Sequence, residues 1–258
     1  MVSYIFALSN YVRARVNKTD SEDVSKHYDY YFGGFSSYEI PHFYSYSNYT
    51  EEENVCANVA GTIMLNFWNK VNNNGIVNER NLDYQGNFTD EAATNYEKAF
   101  YTYMKTGTFG TTPKNCAEGF KKFLTDWGHN CDIINLSDST YENSIGWLKK
   151  NVPFFVTAKN YYFTSGNSKY LEDVSLPQTG RDPQILKIEY SYYEGLSQTH
   201  CFVTIGYGYY YLTNIINNTT INKYNINFYK ILDGWGQMRY FNIADSETIA
   251  VYGIKVSM

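Results

Sequence analysis

The clearest candidate for covalent chemistry is a cysteine that begins an apolar helical pattern. Residues 54–68 read NVCANVAGTIMLNFW, in which Val59, Ile63 and Phe67 recur at helical spacing. Cys56 therefore falls in the first turn of a predicted helix with one inward-packing face, where main-chain N–H groups lack a partner within the helix. The partial positive charge there favours the thiolate, which is the nucleophilic form of cysteine. The alternative is that Cys56 is a small buried apolar residue, the common role of a free cysteine.

A second candidate is a histidine that opens a predicted strand. Residues 199–208 read THCFVTIGYG, and the side chains of a strand alternate between its two faces. His200 and Phe202 therefore share one face, whereas Cys201 lies on the other face as a core thiol. The closing glycines are interpreted as the end of the strand, because a phosphate-binding loop would need a third glycine and a following helix.

Three glutamates precede the candidate nucleophile, at positions 51 to 53. Acidic residues suit a helix N-terminus, but carboxylates close to a thiolate raise the pKa of the cysteine. If Cys56 is reactive, we expect the glutamates to point away from it or a cation to offset them.

The rest of the chain predicts helices mainly in the first half and strands mainly in the second. Predicted helices span residues 91–105, 112–128 and 140–151, with Thr112 as the N-cap of the second and Pro113 at its first position. Predicted strands span residues 132–136, 153–157, 228–236, 238–243 and 248–255, with an Asn-rich hairpin turn within 214–222. Residues 12–26 are interpreted as a solvated helix or arm, and residues 159–198 as loops and a hairpin over a cleft.

Composition and charge argue against several classes of function. The 258 residues are 43% hydrophobic and 18% charged, which is typical of a globular protein of one or two lobes. The net charge of −5 and the lack of a basic run argue against nucleic-acid binding, and no stretch approaches the roughly 18 apolar residues of a membrane span. Cys56, Cys116, Cys131 and Cys201 lack metal-ligand spacing, so no metal or other cofactor is predicted. Cys116 is interpreted as a packing residue on the apolar stripe of its helix.

The first eight residues, MVSYIFAL, form a short apolar run. They lack the basic region and the small-residue cleavage site of a secretory signal. The protein is therefore expected to be cytoplasmic or to have lost a signal, and a secreted or cell-surface location is favoured.

Three motifs in this order resemble those of the papain-type cysteine peptidases. They are Cys56 at the head of a helix, the His-led strand that ends in Gly-Tyr-Gly at residues 206–208, and Asp-Gly-Trp-Gly at residues 233–236, where that family has Asn-Ser-Trp-Gly. His200 follows Cys56 by 144 residues (200 − 56). This separation is within the roughly 130 to 150 residues between nucleophile and base in that family.

Two further segments are similar to the bacterial branch of this superfamily. Ile-Pro-His at residues 40–42 precedes the cysteine helix, as Val-Pro-His does in related bacterial peptidases. The predicted helix at 140–151 leads into an apolar strand, as in streptopain-like and bacteriocin-processing peptidases. With the three motifs, the resemblance covers roughly residues 38–258.

The resemblance implies an α+β fold of the papain-like, two-lobed type. A helical lobe at about residues 38–150, led by the nucleophile helix, would pack on a twisted antiparallel β-sheet at about residues 151–258. Residues 1–37 have no counterpart in that fold. They are interpreted as an N-terminal arm, a propeptide remnant or the end of an upstream domain.

The resemblance also implies a role for each motif residue. Cys56 would be the nucleophile and His200 the general base and later the acid, while Asp233 would orient the imidazole by accepting its other ring proton. Trp235 would shield the His/Asp pair from water and so strengthen their hydrogen bond. The alternative for Asp233 is a turn residue before Gly234.

One position departs from the family pattern. The oxyanion-hole glutamine of that family lies six residues before the nucleophile, and Thr50 occupies this position here. The main-chain amide of Cys56 can supply one donor, and the candidates for the second are Asn54, Asn48 and Thr50. Loss of one such donor costs on the order of a hundredfold or more in rate, so low activity or a different reaction is consistent with this departure.

The implied function is endopeptidase hydrolysis of a protein or peptide substrate through a Cys acyl-enzyme. Two alternatives stay open. The first is an amidase or acyltransferase with the same thiol chemistry. The second is a catalytically silent binding module, favoured by the missing glutamine and by the Tyr-rich segment at residues 161–193.

Overall fold

The computed structural model describes most of the chain from residue 53 onward. The described residues are 53–72, 75–159, 199–216, 219–236, 238–243 and 247–257, together with the strand segments 12–16, 24–34, 162–165, 175–178, 181–185 and 189–192. Within these residues the protein is an α+β structure with four α-helices and twelve strands.

The four α-helices lie between residues 56 and 148, and three of them begin at threonine caps. They are α1 (Cys56–Val71), α2 (Asp90–Tyr103), α3 (Pro113–Asp126) and α4 (Tyr141–Leu148), and a short 3-10 helix spans Glu79–Asn81. The hydroxyls of Thr89, Thr112 and Thr140 accept main-chain N–H hydrogen bonds at the starts of α2, α3 and α4. The predicted helices are confirmed, with ends that differ by a few residues. No helix in the described part of the chain has both the length and the apolarity of a membrane span.

The helix that carries Cys56 is buried on every side. Residues 57–69 are all buried, including the polar residues Asn58, Thr62, Asn66 and Asn69. Asn69 shows how a polar side chain is accommodated there, because its Oδ1 accepts two main-chain N–H hydrogen bonds, from Ile76 and Val77, at 3.1 Å each. The prediction of a single inward-packing face is wrong, since α2 and α3 pack on α1 in addition to the strands.

The strands build one large sheet and one separate hairpin. They are β1 (Val12–Val16), β2 (Val24–Gly34), β3 (Asn130–Asn135), β4 (Phe154–Lys159), β5 (Tyr162–Ser165), β6 (Ser175–Gln178), β7 (Arg181–Ile185), β8 (Glu189–Tyr192), β9 (Thr199–Ile216), β10 (Thr219–Leu232), β11 (Met238–Asn242) and β12 (Glu247–Ser257). The main path of the sheet is β3-β12-β4-β9-β10-β11-β5-β8, with β2 also paired to β9 and β1 paired to β2, while β6 and β7 pair with each other. Every described pairing is antiparallel.

The central strand β9 is longer than its sequence pattern predicts. β4 pairs with its first part, from Thr199 to Thr204, and β2 pairs with the remainder, from Gly206 to Ile216. β10 runs along the opposite edge, and its register skips Ile205, next to the point where the other partner changes. The interpretation of the Gly-Tyr-Gly segment as the strand end is wrong, because β2 supplies a pairing partner beyond it.

The N-terminal segment forms strands. β1 and β2 pair with each other, and β2 lies along β9, so the interpretation of residues 12–26 as a helix is wrong for the described part of that segment. Within residues 159–198 the described parts are the strands β5 to β8, which include the hairpin of β6 and β7. The predicted hairpin connection is confirmed by the pairing of Ile216, at the end of β9, with Thr219, at the start of β10, while residues 217–218 lie outside the described residues.

Helices and sheet share one apolar core. Its largest fully buried side chains include Phe67, Phe100, Phe120 and Phe123 from the helices and Phe154, Phe155, Phe202 and Phe241 from the strands. The rings of Phe120 and Phe155 meet edge to face, with centroids 5.5 Å apart. Through this core α1 packs against β9, the strand that carries His200.

Candidate active site

The first turn of α1 directs main-chain N–H groups at the Cys56 sulfur. The carbonyl of Val55 accepts the first helical hydrogen bond, from the N–H of Asn58 at 2.8 Å. The N–H groups of Cys56 and Ala57 precede that bond, and both act on the sulfur of Cys56 in the direction that lowers its pKa. The N–H of Cys201, on β9, is a third donor to the same sulfur.

Burial governs the proton affinity of this thiol. Burial raises the pKa of Cys56 from 9.0 to about 12, and the nearby thiol of Cys201 acts in the same direction. The three N–H groups lower the pKa but do not offset the loss of hydration. The N–H groups at the helix start thus act on the thiol in the predicted direction, but the pKa that results is raised and not lowered. Glu53 is exposed, and the other two glutamates of the acidic run lie outside the described residues.

The same contact places His200 beside the thiol. Cys201 follows His200 directly, so the nitrogen that bonds the sulfur is attached to the carbonyl carbon of His200. Standard bond lengths then place the sulfur within roughly 6–7 Å of the His200 Cα. The structure thus brings the predicted nucleophile next to the strand residue predicted as its base.

The imidazole of His200 is fixed by a hydrogen bond and by a stacked ring. Its Nε2 lies 2.6 Å from the main-chain carbonyl oxygen of Asp233. A carbonyl can only accept, so Nε2 carries the proton and the lone pair of the neutral ring is on Nδ1. The indole of Trp235 lies parallel to the imidazole at a centroid distance of 4.1 Å and an angle of 5°. His200 is 5% exposed and Trp235 45%, so the indole lies between the imidazole and solvent, as the sequence analysis expects.

Asp233 contributes through both its main chain and its carboxylate. Its carbonyl holds His200, and its Oδ1 accepts the main-chain N–H of Trp235 at 2.8 Å. The second bond closes a turn of the kind that Asp side chains favour, and Gly234 and Gly236 take positive φ values of 74° and 77° in it. The turn interpretation of Asp233 is thus confirmed. The carbonyl is an orienting contact that is not predicted from the sequence, where the carboxylate of Asp233 is the expected acceptor for the imidazole.

The turn that carries Asp233 packs directly on α1. A Cβ built at Gly234 would lie 3.5 Å from Cγ1 of Val59, which is three residues after Cys56 in α1. The turn, the first residues of β9 and the start of α1 therefore meet at one place. These are the three elements that carry the three sequence motifs.

Asn54 has a structural partner close to the nucleophile. Its Nδ2 donates to the carbonyl of Thr108 at 2.8 Å, and its φ of 59° is in the left-handed region. This bond ties the tight turn at residues 107–110 to the residue two before Cys56. The other two candidates for the second oxyanion donor, Asn48 and Thr50, lie outside the described residues.

A buried polar network beside the site was not predicted. Asn58 Nδ2 donates to Thr106 Oγ1 at 3.0 Å, and the hydroxyls of Thr106 and Thr111 lie 2.6 Å apart. Together with the Asn54 bond, it holds the loop after α2 against the start of α1. The signal in the sequence is the stripe of polar residues at helical spacing, Asn58, Thr62, Asn66 and Asn69, within an otherwise apolar helix.

The remaining cysteines are buried. Cys116 and Cys201 have their sulfur atoms 3.9 Å apart, and Cys131 lies on β3. The predictions that Cys116 and Cys201 pack in the core are confirmed. Among the described residues, no group of three or more His, Cys, Asp or Glu side chains is arranged to hold a metal ion.

Comparison with known proteins adds no family assignment. No protein-family model matches the chain, and no curated protein matches it either. What the site does is therefore inferred from its own residues.

Proposed function

We propose that the protein hydrolyses peptide bonds through an acyl-enzyme on Cys56. The observation that carries this proposal is the contact between the Cys56 sulfur and the N–H of Cys201, the residue after His200. It supports a thiol and an imidazole that act on the same peptide bond. The hydrogen bond from His200 to Asp233 and the stacked Trp235 support a base that is held in one orientation.

The raised pKa of Cys56 favours general-base catalysis over a preformed ion pair. The thiol is neutral at rest, and Nδ1 of His200 accepts its proton as the sulfur bonds to the substrate carbonyl carbon. The resulting imidazolium gives that proton to the leaving amine as the peptide bond breaks. A water molecule then loses a proton to Nδ1 and attacks the thioester, which releases the acid product and restores the thiol.

Asp233 supports this cycle at two points. Its carbonyl accepts the Nε2 proton whether the ring is neutral or charged, so the ring keeps its orientation while Nδ1 gains and loses a proton. Its buried carboxylate lies in the same turn and favours the imidazolium electrostatically. The main-chain N–H of Cys56 supplies one donor to the oxyanion.

The finer architecture is part of the same proposal. We infer a papain-like division in which α1 to α4 form one lobe and the strands with His200 and Asp233 form the other. Cys56 and the 233–236 turn would then lie at the boundary, where an extended peptide can reach the thiol. The substrate class is accordingly a protein or peptide segment.

A catalytically silent binding module is the second candidate. The raised pKa of Cys56 favours it, because a thiol buried among apolar groups is usually inert. The two candidates differ in whether His200 activates the thiol, and this difference can be measured.

The test is mass spectrometry after brief exposure to an epoxide-type cysteine-peptidase inhibitor. The wild-type protein is compared with His200→Ala, with Cys56→Ser and with His129→Ala, a matched loss of a histidine elsewhere. Labelling confined to Cys56, abolished in the first variant and kept in His129→Ala, is the expected result. Equal, slow labelling of every thiol in all proteins would refute the proposal and favour the binding module.

Hydrolysis is then tested on a peptide mixture, with products identified by mass. New amino and carboxyl termini that form with the wild-type protein and not with Cys56→Ser are expected. A covalent acyl adduct on Cys56 that water does not discharge would instead indicate an acyltransferase.

A further inference from the structure

Three of the four thiols of the protein lie together. The Cys116 and Cys201 sulfur atoms are 3.9 Å apart, and the main-chain N–H of Cys201 bonds the Cys56 sulfur. These cysteines come from α3, β9 and α1, so the arrangement is formed only by the tertiary fold. Cys131 is the exception: the side chains that shift the pKa of its thiol are Lys121 and Asp132, whereas other cysteines shift the pKa values of Cys56 and Cys116.

The three thiols differ in their access to solvent. Cys116 and Cys201 are 1% and 4% exposed, whereas Cys56 is only partly buried. A small oxidant in solution therefore reaches Cys56 before it reaches the other two. Oxidation that ends on the buried pair would have to enter through Cys56.

We propose that Cys56, Cys201 and Cys116 form a thiol relay that passes oxidation by a hydroperoxide from Cys56 to a buried Cys116–Cys201 disulfide. The relay would return Cys56 to its reduced form and so protect this partly buried thiol from irreversible oxidation. This activity does not depend on peptide hydrolysis, since it needs only the three thiols and an oxidant of the hydroperoxide class.

Each step of the relay balances. The Cys56 sulfur attacks the terminal oxygen of the hydroperoxide and the thiol proton passes to the oxygen that leaves, which gives an alcohol or water and a sulfenic acid on Cys56. Cys201 then attacks the oxidised sulfur, and a Cys56–Cys201 disulfide forms with loss of water. Cys116 attacks the Cys201 sulfur, and Cys56 leaves as a thiolate that takes up a proton. In total, two thiols lose two electrons and two protons, and the hydroperoxide is reduced.

The geometry supports the final bond. A disulfide has its sulfur atoms about 2.05 Å apart, so the Cys116 and Cys201 sulfurs at 3.9 Å must approach by roughly 2 Å. Burial raises the pKa of Cys116, which slows thiolate formation and makes the exchange slow at neutral pH. The relay is therefore expected to be faster at alkaline pH.

The experiment treats the full chain with one equivalent of hydrogen peroxide, alkylates the remaining thiols and maps disulfides by mass spectrometry. The wild-type protein is expected to yield a Cys116–Cys201 crosslink with Cys56 alkylated. Cys116→Ala should stop the relay at a Cys56–Cys201 crosslink. Cys56→Ala should slow crosslinking about tenfold or more, because the most accessible of the three thiols is gone. Cys131→Ala is the matched control and should behave as the wild type.

Two results would overturn the relay. One is a Cys116–Cys201 crosslink that forms equally fast in Cys56→Ala and in the wild type. The other is sulfinic acid on Cys56 that accumulates at the same rate in the wild type and in Cys201→Ala. Thermal unfolding of each variant identifies any that do not fold. Cys56→Ala changes a thiol that is only partly buried, so this variant is expected to fold and to give a result even if a variant at Cys116 or Cys201 does not fold. The readout is independent of peptidase activity, so failure of the relay is distinct from failure of the hydrolase proposal.

Discussion

Replacing His200 with alanine separates the two influences on the reactivity of Cys56. Burial raises the pKa of this thiol from 9.0 to about 12. At pH 7 a thiol with a pKa of 12 has a thiolate fraction of about 10⁻⁵, against about 10⁻² for a pKa of 9.0. Without a base beside it, Cys56 should therefore react with iodoacetamide about a thousandfold more slowly than an exposed thiol.

The pH dependence of the Cys56 labelling rate should differ between His200→Ala and the wild-type protein. In His200→Ala the labelling rate of Cys56 should rise about tenfold per pH unit from pH 7 to pH 11, because the thiolate fraction rises by that factor below the pKa. The wild-type protein should label faster, since Nδ1 of His200 takes the proton. The difference in labelling rate between the two proteins should become smaller as pH rises, because hydroxide then replaces His200 as the base.

The assay quenches the reaction at set times and measures each alkylated peptide by mass spectrometry. Cys131 is an internal control, because burial raises its pKa to about 12 as well. Its labelling should not change between the two proteins. A plateau near pH 9 for Cys56 in His200→Ala would show that burial does not control its pKa. Identical rates in the two proteins at all pH values would show that His200 does not act on Cys56.

Three further predictions concern packing, the turn and alkaline stability. A Cβ at Gly119 would lie 2.6 Å from main-chain atoms at the end of α2, so Gly119→Ala should lower the free energy of unfolding by about 1–3 kcal/mol in urea titrations. A Cβ at Gly146 in α4 would have no neighbour within 4 Å, so Gly146→Ala should leave the unfolding free energy unchanged or raise it by up to ~1 kcal/mol. An equal loss of unfolding free energy in Gly119→Ala and Gly146→Ala would contradict the packing argument. Asp233→Asn keeps an oxygen that can accept the Trp235 N–H, so this variant should retain the melting temperature and lose turnover. Asp233→Ala should lose turnover and also about 1 kcal/mol of unfolding free energy. Wild-type turnover in Asp233→Asn would exclude a role for the carboxylate charge. The Cys131 thiol has a pKa of 9.0 when unfolded and about 12 when folded, so the unfolding free energy of the wild type should fall as pH rises from 9 to 11. In Cys131→Ala this fall should be smaller, by up to about 1.4 kcal/mol per pH unit. An unchanged slope would refute the raised pKa.

Local signals in the sequence were sufficient for most of the helices and for the order of the motifs. Thr112 followed by Pro113 marks the start of α3 because both residues satisfy the first turn without help from the rest of the fold. Thr140 marks the start of α4 in the same way, whereas the helix that begins at Cys56 is predicted from its apolar spacing, since Val55 provides no side-chain cap. The Asn-rich segment predicts the connection between β9 and β10. The partly exposed Trp235 over His200 also follows the expectation drawn from the motif order.

Only the tertiary structure determined the length of β9, the acceptor that holds His200 and the pKa of Cys56. β9 continues past Gly208 because β2, more than 170 residues earlier in the chain, pairs with it. The carbonyl of Asp233 reaches His200 because of how the turn packs on α1, and main-chain atoms leave no signature in side-chain patterns. A helix N-terminus lowers a cysteine pKa in any sequence, but the opposing loss of hydration depends on the atoms that the whole fold places around the sulfur. Spacing along the chain can therefore identify candidate reacting residues, whereas their proton affinities and partners depend on contacts between segments that are distant in sequence.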